Sequence, residues 1–356
     1  MRVAVVGVGL IGGSIGLAAR QRLEARVTGY DHDPGVLAQA AEKGAIDAAG
    51  ADVAEAVTGA ELAFVAVPVG ALPATVEQVL AAAPADCAVT DVGSTKRPVR
   101  AAALDGRFIG GHPLAGAETS GVTNARADLF EGATWYLTPG ERASGVLYER
   151  LHRVLAALGA RPAAIDSETH DRVMASVSHL PHVIANVLVG QAAGTLSEGG
   201  ERMPATGPSF RDATRVAGAN GAVWTDIYLS NRDALAAEIE ETIRRLGAVR
   251  QALASADAGA IERWNDTAGE HRQALLEVGL AGGPVRELRV FVPNRPGVIA
   301  EIALALGRAG VNVVDMALSP ADDFSRGVVA LWVRGDSDAA RAQELIAALD
   351  FPVLPA

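Results

Sequence analysis

A single cysteine, Cys87, is all the chain contains. No intrachain disulfide can form, which suits a reducing cytoplasm. Lysine is scarce beside alanine, glycine and arginine, a bias that points to GC-rich coding sequence and says nothing of function. Positive charge is in deficit. Lys and Arg number 31 against 42 Asp and Glu, a net charge of -11. Nucleic acid and anionic membranes are therefore excluded as expected partners, although a local cationic pocket for an anionic substrate is not. No apolar run reads as long enough to span a bilayer. The opening MRVAVVGVGLIGG is expected not to be a signal peptide, because it lacks the long apolar region and cleavage site of one. Repeats and low-complexity segments are absent as well. A cytoplasmic location is the resulting expectation.

What is present suffices for two or three domains with a substantial core, at 356 residues of which 49% are hydrophobic. Residues 1–166 alternate strand and helix patterns: RVAVVG, LIGGSIGLAARQRL (10–23), RVTGYD, PGVLAQAAEKG, ELAFVAVP, GALPATVEQVLAAA and CAVTDVGS. FIGGHP, TWYLTP and RPAAID continue the alternation. Continuous apolar strands between helices imply a parallel sheet covered on both faces, an α/β fold. Residues 167–281 read as all-α. The stretch 168–196 is long and amphipathic, with a kink or break expected at Pro181, and 232–255 is a second long helix. Such helices outside a complete α/β domain suggest a homodimer. AGGPV (281–285) reads as a linker, and 286–356 as strand, helix, strand, strand, helix, a small α+β module.

Gly7-Val8-Gly9-Leu10-Ile11-Gly12 fits G-x-G-x-x-G, placed between a strand and a helix. Gly7 suits a tight turn, Gly9 a close approach to pyrophosphate at the helix N-terminus, and Gly12 close helix–strand packing. Asp31 ends the second strand, where a carboxylate accepts from both ribose hydroxyls and repels a 2′-phosphate. No arginine follows in HDPG, so NAD is favoured over NADP. Val67, Pro68 and Ser94 end later strands and are placed to face the nicotinamide half; Ser94 equally reads as a helix N-cap before TKRPVRAAAL. The alternative is a glycine-rich turn that binds no nucleotide.

GVGLIGGS (7–14), DVGSTK (91–96), GGHPLAGAETSG (110–121), SHLPH (178–182) and FRDATRVAGANGAVWTDI (210–227) together resemble the prephenate dehydrogenase family, which includes arogenate and cyclohexadienyl dehydrogenases. The resemblance spans residues 1 to about 280, with the motifs in the family's order. It implies a Rossmann-type NAD domain followed by a helical domain. It also implies oxidative decarboxylation of prephenate: hydride leaves the hydroxyl-bearing ring carbon for NAD, CO2 departs, and the ring becomes aromatic as 4-hydroxyphenylpyruvate. The resemblance places His112 as acceptor of the hydroxyl proton, with Ser94 bonding that hydroxyl or orienting His112. His179 would contact the side-chain carboxylate or keto group, and Arg215 would clamp a carboxylate, with Arg211 on the same helical face. Glu118 would gate the pocket or pair with an arginine, and Trp224 would line or cover the ring.

Each residue has a plainer alternative. His112 reads equally as a loop histidine bonded to backbone, and Trp224 as core. Arg211 and Arg215 have Asp212 and Glu201 as ion-pair partners within reach in sequence. His179 and His182 share a helix face, but no further ligands stand at a suitable spacing, so no metal is expected. The C-terminal module resembles an ACT domain. This implies an amino-acid effector, L-tyrosine, held by Asn294, Gly297 and Val298 of the turn before its helix and by Asn312 of the next strand; a purely structural module is the alternative. Arogenate in place of prephenate remains open, as does a non-catalytic NAD and amino-acid sensor. A 3-hydroxyacid dehydrogenase of the 6-phosphogluconate type fits less well, because it generally needs a lysine where SHLPH offers histidines.

Overall fold

Short apolar strands separated by helices settle into one parallel sheet because each strand is buried on both faces. In the computed structural model, which describes all residues except 117–118, 199–206, 281–284, 321–325 and 356, strands β1 (Arg2–Val6), β2 (Arg26–Tyr30), β3 (Ala48–Ala49), β4 (Leu62–Val65) and β5 (Ala88–Asp91) pair in the order β3-β2-β1-β4-β5. All four pairings are parallel. Helices α1 (Leu10–Leu23), α2 (Pro34–Glu42), α3 (Val53–Val57) and α4 (Leu72–Ala82) lie between them in the chain. Successive side chains of a strand point to opposite faces. Accordingly Val3, Val5, Leu62 and Phe64 join one core cluster, while Ala4, Val6, Ala63 and Val65 join another. Parallel alignment puts the carboxyl ends of these strands on one edge, the edge where open α/β sheets bind ligands.

FIGGHP, TWYLTP and RPAAID do not extend this sheet. They form a second one, in which β6 (Ile109–Pro113) runs antiparallel to β7 (Thr134–Pro139) and β7 parallel to β8 (Arg161–Ala164). Helix α5 (Gly145–Ala157) makes the crossover between β7 and β8. Between β6 and β7 the described residues hold only a single helical turn, Val122–Asn124. Parallel neighbours are usually joined through a crossover helix, as β7 and β8 are; β6 and β7, without one among the described residues, pair antiparallel. Among the described residues a single isolated bridge, Val89 to Phe108, joins the sheets.

The helical region holds α6 (Ser167–Met174), a wide π turn at Ala175–His179, α7 (Leu180–Glu198), α8 (Pro208–Thr214), α9 (Gly221–Ser230), α10 (Arg232–Ala254) and α11 (Ala258–Leu280). Two expectations are corrected here. The chain does not break at Pro181; the π turn just before it accommodates the proline while the helix continues. As a result Ser167–Gly194 is one helix that is long and apolar enough, by length and composition, to cross a membrane. The sequence reading that no run reaches that length did not count a helix through the proline.

By contacts the chain forms two units. One contains Met1–Asp171, Asn220–Ser230 and Val285–Ala356; the other contains Arg172–Ala219 and Asn231–Pro284. Helix α9 belongs with the first unit, where Ile227 packs into the cluster of Val69 and Leu72 and the Gly70 amide donates to Asp226 at 3.2 Å. The C-terminal module, β9 (Val285–Pro293), α12 (Val298–Arg308), β10 (Val313–Pro320), β11 (Arg326–Arg334), α13 (Asp336–Ala347) and β12 (Val353–Pro355), is an antiparallel sheet of order β10-β11-β9-β12 with two helices. It has no core separate from its neighbour: Ile299 and Leu306 of α12 share a cluster with Leu151, Leu155 and Ala164. The contact is tightest at Gly307, where a Cβ would sit 1.7 Å from the Ala164 carbonyl oxygen. Because the obstacle is backbone, Gly307→Ala is expected to cost about 1–3 kcal/mol. A lower thermal denaturation midpoint measures this; an unchanged midpoint refutes the tight docking of α12 on β8.

Candidate active site

At the sheet edge the glycine loop takes the shape its residues demand. Gly7 has φ of +90°, donates its amide to the Tyr30 carbonyl at 2.7 Å, and leaves 2.5 Å between a would-be Cβ and the Ala66 carbonyl oxygen. A Cβ on Gly12 would meet the Gly7 carbonyl oxygen at 1.9 Å. Gly9 differs: nothing lies within 4 Å of its would-be Cβ, so the backbone there faces open space. Gly9 is also the N-cap of α1, with no side-chain cap and no acidic residue in the first turn. Unclaimed amides at a positive helix end suit a pyrophosphate. Leu10 and Ile11 pack against the core cluster below. Asp31 Oδ2 accepts from the Val8 amide and Oδ1 from the Asp33 amide, both at 3.1 Å, which holds the carboxylate beside the loop. Val67 is half-buried and Pro68 exposed at the end of the strand next to β1. The residues present fit NAD.

The turn after β5 is built around a buried ion pair. Lys96 and Asp91 are both buried, and the Lys96 ammonium donates to Asp91 Oδ2 and to the Gly111 carbonyl. Asp91 also accepts the amides of Gly93 at 2.9 Å and Gly111 at 3.1 Å. Burial pulls the Lys96 ammonium below the ordinary lysine value, and Asp91 opposes the shift. Ser94 is half-buried in this turn. It is not the N-cap of the following helical segment, Arg97–Leu104, which begins at Lys96 without a side-chain cap. Thr95 Oγ1 lies 2.9 Å from Ser230 Oγ of α9.

These bonds bring β6 against the carboxyl end of β5, and with it His112. His112 is a strand residue paired with Tyr136, not a loop residue. Its Nδ1 lies 2.9 Å from His170 Nε2, and His170 Nδ1 lies 2.8 Å from Asp171 Oδ1. Asp171 in turn accepts the amides of Lys96 at 2.7 Å and Arg97 at 2.9 Å. Its carboxyl sits below the usual range: burial alone would raise it, but the His170 and amide hydrogen bonds outweigh burial. Burial pulls the His170 imidazole below its ordinary value. Sequence reasoning missed His170 and Asp171. The available signal was a His-Asp dipeptide one helical turn before Met174 and Ala175.

In the second unit His179 is buried at the end of the π turn, with Asn231 Nδ2 at 3.2 Å from its Nδ1. When that amide donates, the ring proton sits on Nε2. His182 is buried next to Asn186, whose Nδ2 lies 3.2 Å from its Nδ1. Arg211 lies in the last turn of α8 and Arg215 is its C-cap, both exposed and four residues apart, as a shared face requires. Trp224 belongs to the first unit, half-buried against the cluster of Val69 and Leu72, with its ring 5.5 Å from that of Tyr228. Glu118 and Glu201 lie outside the described residues.

In the C-terminal module the proposed effector residues are only partly available. Gly297 has φ of +85° and caps α12, but its amide already donates to the Ala143 carbonyl at 3.2 Å. Asn294 and Val298 line a cavity of about 560 Å³ together with Arg142, Arg295 and Arg326. Asn312 Oδ1 is buried with no hydrogen-bond partner among the described residues.

Comparison with known proteins accounts for all three segments. Residues 15–163 match the nucleotide-binding domain of prephenate dehydrogenase, residues 166–266 its dimerization domain, and residues 286–348 an ACT domain. Prephenate dehydrogenase of Bacillus subtilis (strain 168) is 33% identical, over 97% of this chain and 95% of its own length. Cyclohexadienyl dehydrogenase of Zymomonas mobilis is 34% identical over 72% of this chain and 89% of its own. Among solved structures, Synechocystis arogenate dehydrogenase superposes with a TM-score of 0.68 at 27% identity, covering 77% of this chain and all of that one. Prephenate dehydrogenase from A. aeolicus, solved with hydroxyphenyl propionate and NAD+, has a TM-score of 0.68 at 26% identity, covering 77% of this chain and 98% of that one. With an NAD site, a half-buried histidine at its edge and near full-length relatives, the chain belongs to the prephenate dehydrogenase family of NAD-dependent oxidoreductases.

Proposed function

We propose that the protein catalyses the oxidative decarboxylation of prephenate to 4-hydroxyphenylpyruvate. The observation that carries this reading is the placement of His112: it sits on the strand held against β5, at the sheet edge where Gly9 and Asp31 receive the dinucleotide. Bound NAD supplies the hydride acceptor. His112 takes the proton of the ring hydroxyl as the C–H electrons leave that carbon and a C=O bond forms. The bond to the ring carboxylate then breaks and CO2 departs; its electrons complete the aromatic ring and turn the new C=O into a phenolate, which takes a proton back to give the phenol. Ser94 bonds the same hydroxyl or orients His112. The family resemblance assigns the substrate's carboxylates to His179 and Arg215, with Arg211. Arogenate carries the same ring and hydroxyl, and the superposable Synechocystis enzyme is an arogenate dehydrogenase, so both substrates belong in the assay.

The reading extends to assembly, location and regulation. Val177, Val187, Val189, Ile243, Leu246 and Leu253 are exposed on the helices that match a dimerization domain, which supports a homodimer. The lone cysteine, buried and reduced, accords with a cytoplasmic enzyme. L-tyrosine, the end product of the route such a reaction serves, is the proposed effector of the ACT-like module.

NADH formation from NAD with prephenate, and with arogenate, is the direct test; no turnover with either refutes the assignment. His112→Ala is expected to cut kcat by roughly 10²–10⁴-fold while NAD affinity is retained. A near-normal kcat removes His112 from the proton-acceptor role. Added L-tyrosine should lower the wild-type rate, and Asn312→Ala should blunt that response without changing the rate in its absence. A full-length enzyme indifferent to tyrosine ends the effector reading.

A further inference from the structure

A histidine accepts a proton only if the nitrogen facing the substrate is bare. In a neutral imidazole the choice of bare nitrogen is set by what the other nitrogen bonds to. Here the choice propagates from the backbone. The amides of Lys96 and Arg97 can only donate, so both oxygens of Asp171 are acceptors. Asp171 Oδ1 therefore also accepts from His170 Nδ1–H, and neutral His170 is left with a lone pair on Nε2. That lone pair lies 2.9 Å from His112 Nδ1 and accepts its proton, which leaves His112 Nε2 bare.

We propose that His170 and Asp171 are the positioning residues of His112, fixing its proton on Nδ1 so that Nε2 serves as the base. The inference rests on the reading of His112 as proton acceptor. When His112 Nε2 gains the hydroxyl proton, the positive ring keeps its Nδ1–H pointed at His170 Nε2, an acceptor backed by the Asp171 carboxylate. The new charge is thereby stabilised without solvent. The opposite arrangement, with His170 doubly protonated, would drive the His112 proton to Nε2 and end its role. Its surroundings resist that state. His170 is fully buried, and burial lowers its affinity for a second proton. Lys96 acts in the same direction, while Asp171 and Asp91 oppose it. The edge of the neutral Tyr136 ring completes the enclosure at 5.7 Å between ring centres.

Two measurements test this. Histidine ¹⁵N NMR of the full-length wild-type protein, with His112 assigned by loss of its signal in His112→Ala, should show the proton on Nδ1; a proton on Nε2 overturns the proposal, whatever the enzyme's substrate. The second is the pH profile of kcat/KM for His170→Leu and His170→Gln. His170→Leu should lower kcat on the order of 10–100-fold. It should also move the acid limb to lower pH, because a His112 without its acceptor is a weaker base. NAD affinity should not change. Glutamine can donate to Asp171 and accept from His112, so His170→Gln should recover most of the rate and the limb. An unmoved limb with unchanged kcat, or a loss matched by an equal loss of NAD affinity in both variants, overturns the proposal. If His170→Leu fails to fold, the wild-type tautomer and the glutamine variant decide the matter.

Discussion

The buried ammonium of Lys96 is the constraint on which the site depends. It is one of two lysines in the chain, and it is fully enclosed. Burying a charge is costly unless the charge is paired and its hydrogens are used. Lys96 meets both conditions by reaching Asp91 within its own turn and the Gly111 carbonyl on the next strand. Those partners decide geometry as much as energy. Asp91 and Lys96 grip Gly111 by its amide and its carbonyl, and His112 is the next residue. The same turn presents the Lys96 and Arg97 amides to Asp171. One buried ion pair thus locates both the proposed base and the group that orients it.

Glycine plays the complementary part. Gly110 and Gly111 leave no room for a side chain: a Cβ would lie 2.3 Å from Thr138 Oγ1 in the first case and 2.6 Å from the Asp91 carbonyl oxygen in the second. The strand carrying His112 can approach β5 this closely only because it lacks side chains there. Further along, the chain is tied back to the nucleotide side. The Arg126 amide donates to Ser14 Oγ of α1 at 3.0 Å, and Lys43, the C-cap of α2, donates to the Thr123 carbonyl at 2.6 Å. The stretch that begins at His112 therefore ends on the helix whose N-terminus receives the cofactor.

Features encoded in neighbouring residues were legible before the structure. The glycine loop, Asp31 and the strand–helix alternation each need only a short window, because turn chemistry and side-chain periodicity are local. Interactions between distant positions were not. His112 and His170 are 58 residues apart, and nothing near either one marks the pairing. Lys96 stood inside a recognised motif, but its burial depends on a strand fifteen residues on. Pro181 was legible only in part. The local rule predicts a kink or break; the helix does not break, and a π turn at Ala175–His179 precedes the proline, with His179 at its end. The antiparallel pairing of β6 with β7 was likewise invisible in strand patterns, which carry no direction.

The C-terminal module poses a problem of competition. The Gly297 amide has one proton, and the Ala143 carbonyl holds it. A would-be Cβ at Gly297 also falls 2.4 Å from the Glu141 carbonyl oxygen, so the turn is seated on backbone. A ligand carboxylate at that amide and the docked turn exclude one another. Residues 141–143 directly follow β7, and β7 pairs with the strand carrying His112. Proximity alone does not transmit a signal; a ligand shifts an equilibrium only by binding one state better than the other. An undocked state would differ from this one in a defined bond, Gly297 to Ala143, broken instead of made. An effector that needs the amide favours the undocked turn, whereas one that uses only the cavity around Asn294 and Arg295 leaves docking intact. Whether a ligand of this module would move the turn therefore depends on which of those two contacts it takes.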